Sequence, residues 1–427
     1  MHKILEVSID GFWQKYNATS KFKEDVNIVI GDNGSGKTTF MNILHAVLAV
    51  DPEALFLNDF TAVVIKLSNG KSSKQIKAIK IENDKSTYPI IEYQISTKKF
   101  LFQIGDEQSL PFSLRRRMQD ELKRTKDEPS KLVSLASLSV YRIASESDLE
   151  MRDRSSKRSL SPVDMRLNNL MQRLTHFQLE LSLKVRDVSS QLQKDVLVSL
   201  LYEKKTNETE QAYGIDFDEA AERSSLLTAY KQLGLTGSDI TKRILDHTLA
   251  ISEATKKLQK ILSSSRIENT DDNEEELNLD FSPLEAKKRT SRVIEKSLDA
   301  EVKIKDILSQ VDKFLSTLKE FIPEKSFSFK NGILVVENNS DISVSKLSSG
   351  EKQLLILLIE TLLQKQQPYI FLADEPELSL HISWQRKIIS SIINLNPYAQ
   401  IIVATHSPEI AGKYKNRILD MGSILSA

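Results

Sequence analysis

The sequence predicts an α/β protein. A parallel sheet carries a phosphate-cradling loop, an antiparallel sheet lies beside it, and a helical domain interrupts the two halves. Three observations carry this. A glycine-rich loop at 31–39 stands between an apolar strand run and an apolar helix run. Two more buried-strand runs, at 369–373 and 400–406, lead into acidic residues and end in a histidine, where α/β sheets place ligands. Between the halves, residues 163–325 repeat apolar side chains at alternating spacings of three and four, the period of packed helices.

Residues 1–30 read as two strands. Ile4, Val7 and Ile9 alternate with polar residues, and a polar loop then leads to Val26–Ile30. The loop Gly31-Asp32-Asn33-Gly34-Ser35-Gly36-Lys37-Thr38-Thr39 matches G-x-x-x-x-G-K-[ST]. Its glycines let successive backbone amides converge without Cβ interference, so Gly31, Asn33, Gly34, Ser35, Gly36, Lys37, Thr38 and Thr39 are assigned to binding ATP phosphates. Lys37 reaches the β/γ-phosphates, and the Thr38 hydroxyl is suited to Mg²⁺. Phe40, Ile43, Leu44, Val47 and Leu48 recur at helical spacing behind it, which aims a helix N-terminus at the anion. Short strands are expected at 61–67, 75–81, 90–95 and 99–104, with turns at Ser68-Asn69-Gly70 and Asn83-Asp84-Lys85.

Basic clusters come next at Arg115-Arg116-Arg117, Lys123-Arg124 and 152–158, with a further buried strand expected over 138–143. A solvated face is the default reading of such charge; a contact surface for nucleic acid or an acidic partner is the sharper one. In the helical region, Leu167, Leu170, Leu174, Phe177, Leu181 and Val188 form one stripe, interrupted by Lys184. Ile240, Ile244, His247, Ile251, Ala254, Leu258 and Ile261 form another, and Ile304, Leu308, Val311, Leu315, Leu318 and Ile322 a third. His247 on such a stripe reads as a core or seam residue. Breaks are expected at 206–214 and 263–280; the acidic tract 271–276 reads as a solvated linker. The domain division is therefore 1–160, a helical insert over 161–325, and 326–427.

Strands resume at 326–330 and 333–337 around Asn331-Gly332, a hairpin signal. Ser348 or Ser349 can cap a helix over 354–363, making another anion site. Asp374, at the end of the 369–373 run, is placed to hold the Mg²⁺ shell. Glu375 is placed to orient the attacking water as general base. Residues 400–406 read as another buried strand ending in His406, which can hydrogen-bond the γ-phosphate or that water. Lys37, Glu375 and His406 are the expected catalytic residues.

Composition narrows the classes. The 427 residues suffice for two or more domains, and Lys+Arg and Asp+Glu are equal at 59, so the chain is not basic overall. With no cysteine, disulfides, thiolate metal sites and cysteine nucleophiles are excluded. The N-terminus alternates like a strand and no apolar run reaches membrane-spanning length, so a cytoplasmic location away from membranes is expected.

Leu347-Ser348-Ser349-Gly350-Glu351 resembles the ABC-ATPase signature, Asp374-Glu375 a Walker B aspartate with its catalytic glutamate, and His406 the switch histidine. Glu375-Pro376-Glu377-Leu378-Ser379-Leu380-His381 resembles the D-loop form of RecF-like, SMC-like and OLD-like ABC ATPases. Ser349 stands where glycine is more usual, and no glutamine is assigned to a Q-loop. The resemblance implies an ABC-ATPase head using ATP and Mg²⁺. It implies that Ser348, Ser349, Gly350 and Glu351 of one copy cap the nucleotide on another, in a head-to-tail dimer or higher oligomer. The insert is too short for SMC or zinc-hook arms, and 413–427 offers no acidic nuclease cluster. A nuclease is thus expected on a separate polypeptide, an arrangement that resembles bacterial anti-phage systems. In PARIS the ATPase partners a TOPRIM nuclease; in Septu and related retron systems, an HNH nuclease. The expected role is an ATPase sensor or scaffold for that effector. A RecF/SMC-like DNA-repair ATPase that binds nucleic acid is the alternative.

Overall fold

The computed structural model describes residues 1–81, 89–104, 112–138, 161–199, 217–264, 282–337 and 341–426. Strands β1 (Lys3–Phe12) and β2 (Tyr16–Lys21) pair antiparallel, and β3 (Val26–Ile30) leads into the glycine loop. Three strands therefore precede the loop where two were expected. β2 turns only Ala18 and Ser20 inward, an alternation too weak to separate from a polar loop. Helices α1 (Lys37–Ala49) and α2 (Pro52–Leu57) come next. The antiparallel set β4 (Ala62–Ser68), β5 (Ser73–Ile81), β6 (Ile90–Ile95) and β7 (Lys98–Gln103) is close to expectation. α3 (Phe112–Leu132) then carries the chain to β8 (Leu135–Leu138). This strand begins before the expected 138–143, and residues 139–143 lie outside the described residues, as do the turn at 83–85 and the basic cluster at 152–158.

The helical region contains α4 (Pro162–Ser199), α5 (Glu219–Gln232), α6 (Ser238–Ser264) and α7 (Ser282–Phe321). α5 has no stripe in sequence because only Leu226 and Ala229 are buried along it. The break at 206–214 and the acidic tract 271–276 fall outside the described residues. The hairpin β9 (Ser326–Lys330) and β10 (Ile333–Glu337) turns through Asn331 and Gly332, at φ 52° and 79°, with β11 (Asp341–Ile342) added to β10. Then come α8 (Ser349–Leu362), β12 (Tyr369–Asp374), α9 (Ile382–Leu395) and β13 (Ala399–Ala404), with the short β14 (Ile418–Asp420) and β15 (Leu425–Ser426) last.

A five-stranded sheet in the order β14-β3-β13-β12-β8 is parallel throughout. Every residue of β12 and β13 is buried, which is why both read as continuous apolar runs. A seven-stranded antiparallel sheet runs β15-β2-β1-β4-β5-β6-β7. One core joins the two sheets and α1. Ile4, Ile9, Val63 and Ile65 come from the antiparallel side, Val29, Leu372 and Ile402 from the parallel side, and Phe40, Leu44 and Val47 from α1. Each such buried aliphatic side chain contributes about 1.5–3 kcal/mol. The fully buried Gln400 of β13 stitches the sheets: its Oε1 accepts from Ile4 N at 2.7 Å, and its Nε2 donates to Ile4 O at 2.7 Å and Lys23 O at 2.8 Å.

The chain divides into two compact units: Met1–Phe177 with Gln310–Ala427, and Gln178–Ser309. The first turns of α4 and the last of α7 thus belong to the first unit. The second unit is helical. Leu226, Ile244 and Ile294 are buried together, with Tyr230 and Ile240 against them. His247, half-buried in the same unit, has its Nε2 3.4 Å from the Thr290 hydroxyl, and burial pushes the imidazole pKa down. Among the described residues no helix is long and apolar enough to cross a membrane.

Candidate active site

Parallel strands put their carboxyl ends on one edge, so the segments following β3, β12 and β13 meet there. After β3 the glycine loop turns through Gly34 at φ 78° and Gly36 at φ 95°. Gly36 caps α1 in the left-handed region. A Cβ on it would lie 3.0 Å from ring carbons of Phe12 and 3.1 Å from Trp13. The loop is therefore pressed against this aromatic pair, which no sequence motif assigns. Lys37 is 4% exposed and lies back over the loop, donating to Gly31 O at 2.9 Å and Asp32 O at 3.0 Å. Dehydration pushes its ammonium pKa down, opposed by the carboxylates of Glu375, Asp374, Asp32 and Glu377. The Ser35 hydroxyl is buried with no hydrogen-bond partner among the described residues.

Asp374 ends β12 and is 4% exposed. Burial pushes its carboxyl pKa up, and the charges of Glu375 and Glu377 add to this. A hydrogen bond from Thr38 and the Lys37 charge pull the other way. Among the described residues its Oδ1 has no hydrogen-bond partner. A hydroxyl bonded to a dehydrated carboxylate that keeps one free oxygen suits a hard cation with oxygen ligands, and two such protein ligands suit Mg²⁺ that also takes phosphate oxygens. Thr38 and Asp374 would hold it. Glu375 comes next at φ 47°, a conformation costing a non-glycine residue about 1–3 kcal/mol. Its amide still donates to Ala404 O at 2.8 Å, so the backbone is anchored while the side chain is turned. Its Oε1 lies 3.6 Å from Nε2 of His406. His406 lies two residues beyond the end of β13, in the loop after it rather than on the strand.

The signature segment forms the start of α8. This helix begins earlier than the expected 354, so Ser349, Gly350 and Glu351 are its first turn and Ser348 its cap. A capping box closes the end: Glu351 N donates to Ser348 Oγ at 3.3 Å, and Ser348 N to Glu351 Oε2 at 2.9 Å. Glu351 also pairs with Lys325 at 2.5 Å. Burial alone would raise the Glu351 carboxyl pKa; Lys325 and the Ser348 bonds outweigh it and hold the group below its ordinary range. A Cβ on Gly350 would lie 2.4 Å from Ser379 O, so glycine is required there by the segment after β12. Further along α8, Lys352 pairs with Asp164 at 2.7 Å, and Glu360 with Arg166 at 2.5 Å and Arg173 at 3.7 Å.

Lys37, Thr38, Asp374, Glu375 and His406 are thus gathered at one edge. Ser348–Glu351 form a separate cluster whose neighbours are Lys325, Ser379 and Trp384. Glu377, Thr405 and Lys325 carry contacts that no residue spacing announces. Arg115-Arg116-Arg117 lie on α3 with side chains outside the described residues, and Lys123 and Arg124 are exposed on the same helix.

A family model described as an AAA ATPase domain matches residues 2–411. The chain belongs to this AAA ATPase domain family. A protein named Retron Vc95 probable ATPase, from Vibrio cholerae serotype O1 biovar El Tor, is 24% identical over 92% of this chain and 69% of its own length. Retron Ec83 probable ATPase of Escherichia coli is 32% identical over 30% of this chain and 26% of its own. Septu protein PtuA of Bacillus thuringiensis is 37% identical over 18% of this chain and 23% of its own. The chain therefore spans about two thirds of the first relative and about a quarter of the other two. Among solved structures, an Smc head domain with an extended coiled coil, bound to the C-terminal domain of ScpA and derived from Pyrococcus furiosus, aligns over 96% of this chain and 92% of that one, at TM-score 0.42 and 14% identity. The AAA ATPase domain found here thus has relatives named as retron ATPases and a Septu protein.

Proposed function

We propose that this AAA ATPase domain binds ATP with Mg²⁺ and hydrolyses it, as the sensor or scaffold subunit of an anti-phage complex whose nuclease is a separate polypeptide. The observation that carries the hydrolytic reading is the meeting of Lys37, Thr38, Asp374, Glu375 and His406 at one sheet edge. Backbone amides of 33–38 cradle the phosphates at the N-terminus of α1. Lys37 exchanges its two loop carbonyls for phosphate oxygens, a partner swap that needs little further dehydration of the ammonium. Bound Mg²⁺, held by Thr38 and Asp374, would supply charge neutralisation at the transferring phosphoryl group. Glu375 takes the proton of the attacking water, and His406 holds that water or the γ-phosphate oxygen in line.

The signature turn forms a cluster of its own, and this supports the composite reading. The capped N-terminus of α8, with Ser348, Ser349, Gly350 and Glu351, closes over nucleotide held by a second copy. Dimer affinity is then linked to the γ-phosphate. The retron and Septu names among the relatives support the anti-phage reading, with the nuclease of the TOPRIM or the HNH type.

The test is phosphate release from the purified chain with Mg²⁺ and ATP, beside Lys37→Ala. Hydrolysis that Lys37→Ala abolishes is the expected result, together with nucleotide binding weakened by on the order of 100-fold. Hydrolysis that survives the substitution would remove the site from the reaction. Co-expression with the adjacent reading frame, followed by sizing chromatography, tests the partner; an adjacent frame without nuclease residues would remove the effector arm.

A further inference from the structure

We propose that Glu377 is a positioning residue: its carboxylate holds the loop after β13 so that His406 stays against Glu375. This rests on the hydrolytic reading of the site given above. Oε1 of Glu377 accepts three hydrogen bonds, from the Thr405 hydroxyl at 2.5 Å, His406 N at 3.0 Å and Ser407 N at 3.2 Å. These are the residues where the β13 ladder has ended. Thr405 N still reaches Val29 O at 3.1 Å, but the next two amides have no strand beside them. One ionised oxygen takes the place of that missing strand, with charge-assisted bonds roughly twice as strong as neutral ones. The Thr405 hydroxyl, on a residue 1% exposed, also accepts from Ser407 N at 2.9 Å, so the three residues close into one knot.

Glu377 is itself held. The turn after Glu375 is tight, with Leu378 N donating to Glu375 O at 3.1 Å and Leu380 N to Glu377 O at 2.9 Å. Gln385 of α9 fastens the same two segments: its Nε2 donates to Leu380 O at 2.9 Å, and its Oε1 accepts from the Ser407 hydroxyl at 2.8 Å. The Glu375 main chain and the His406 main chain are therefore joined twice, through Glu377 and through Gln385. The 3.6 Å approach of their side chains is a product of that frame. Among the described residues the second oxygen of Glu377 is buried with no partner, so the first carries all three of these contacts. An apolar residue would take this acceptor from the His406 amide and the Thr405 hydroxyl, leaving Ser407 N with the Thr405 oxygen alone.

Steady-state kinetics, fluorescent-ATP binding and thermal unfolding of single and double variants test this. Glu377→Ala should lower kcat by on the order of 10–100-fold, the scale of a misplaced catalytic group, with KM and nucleotide affinity within about threefold. Glu377→Gln keeps an oxygen for the three donors and should recover most of kcat. Thr405→Val, which keeps the volume and removes one donor, should fall between. In a His406→Ala background, Glu377→Ala should change kcat by less than about twofold, since the group it positions is gone. The proposal is overturned by Glu377→Ala within twofold of the parent, by Glu377→Gln as slow as Glu377→Ala, or by equal losses with and without His406. If Glu377→Ala does not fold, Thr405→Val decides, and parent-like kcat there overturns the proposal. A parent protein that neither binds nor hydrolyses ATP would instead remove the hydrolytic reading of the site.

Discussion

Nε2 of His406 lies 3.6 Å from Oε1 of Glu375, although the two residues succeed different strands. The pairing depends on parallel neighbours: β12 and β13 run side by side with Asp374 opposite Ala404, so the segments leaving the two strands emerge at the same level. Glu375 then turns back at φ 47° and His406 comes forward to meet it.

Glu375→Gln keeps the shape of that pair and removes the base. Nucleotide binding should be retained while hydrolysis falls by about 100-fold or more. Undischarged ATP should then accumulate dimers in sizing chromatography. Monomers at every nucleotide concentration would remove the composite site and leave a single-chain hydrolase.

Gly36→Ala meets two obstacles at once. The added Cβ would lie 3.0 Å from Phe12, and φ 95° is itself strained for alanine. A loss of about 1–3 kcal/mol is expected, read as a lower Tm without nucleotide. Adding Trp13→Ala should restore only part, because the backbone strain persists.

Gln400→Leu preserves volume but removes the side-chain partner of Ile4 N and Ile4 O, while Lys23 O keeps the Asn27 side-chain amide. Each buried unsatisfied group costs about 1–3 kcal/mol, so unfolding by urea should shift to clearly lower concentration. An unchanged midpoint would mean that the two sheets are joined by apolar packing alone.

Glu351→Gln can keep the cap but loses the charge facing Lys325. The Glu351 carboxyl is held below its ordinary value of 4.5. A depressed carboxyl binds fewer protons folded than unfolded, so its stabilisation is fully present above 4.5 and is lost as pH falls through the depressed value. The variant should therefore melt below the parent at neutral pH, with the gap closing in acid. A gap that is constant with pH would assign the loss to packing.

Much of the fold and the site is legible because the catalytic motifs are local. The glycine loop, Asp374-Glu375 and the apolar runs before them are short contiguous strings, and each sits at the end of a strand whose burial on both faces writes itself as an unbroken apolar run. β2 escapes such reading because a strand with small and polar inward residues carries no such signature. The start of α8 falls earlier than its apolar period suggests because Ser349-Gly350-Glu351 adds nothing to that period, although Ser348 is legible as its cap. Glu377 and Lys325 are hidden for a different reason. Their partners, Thr405 to Ser407 and Glu351, are distant in sequence, and a single carboxylate or ammonium has no periodicity to betray what it faces.

The ion pairs along α8 have a mechanical consequence. Lys352 and Glu360 fasten it to the opening turns of α4 through Asp164, Arg166 and Arg173, while Glu351 fastens it to Lys325, just past the end of α7. The helix is thus yoked to the incoming and the outgoing strand of the same loop-out of chain. Every residue of these pairs lies in the first compact unit, on the first turns of α4, on α8 or just past α7. A partner chain that pulls on the signature turn would have to break these pairs or carry the bases of both helices with it.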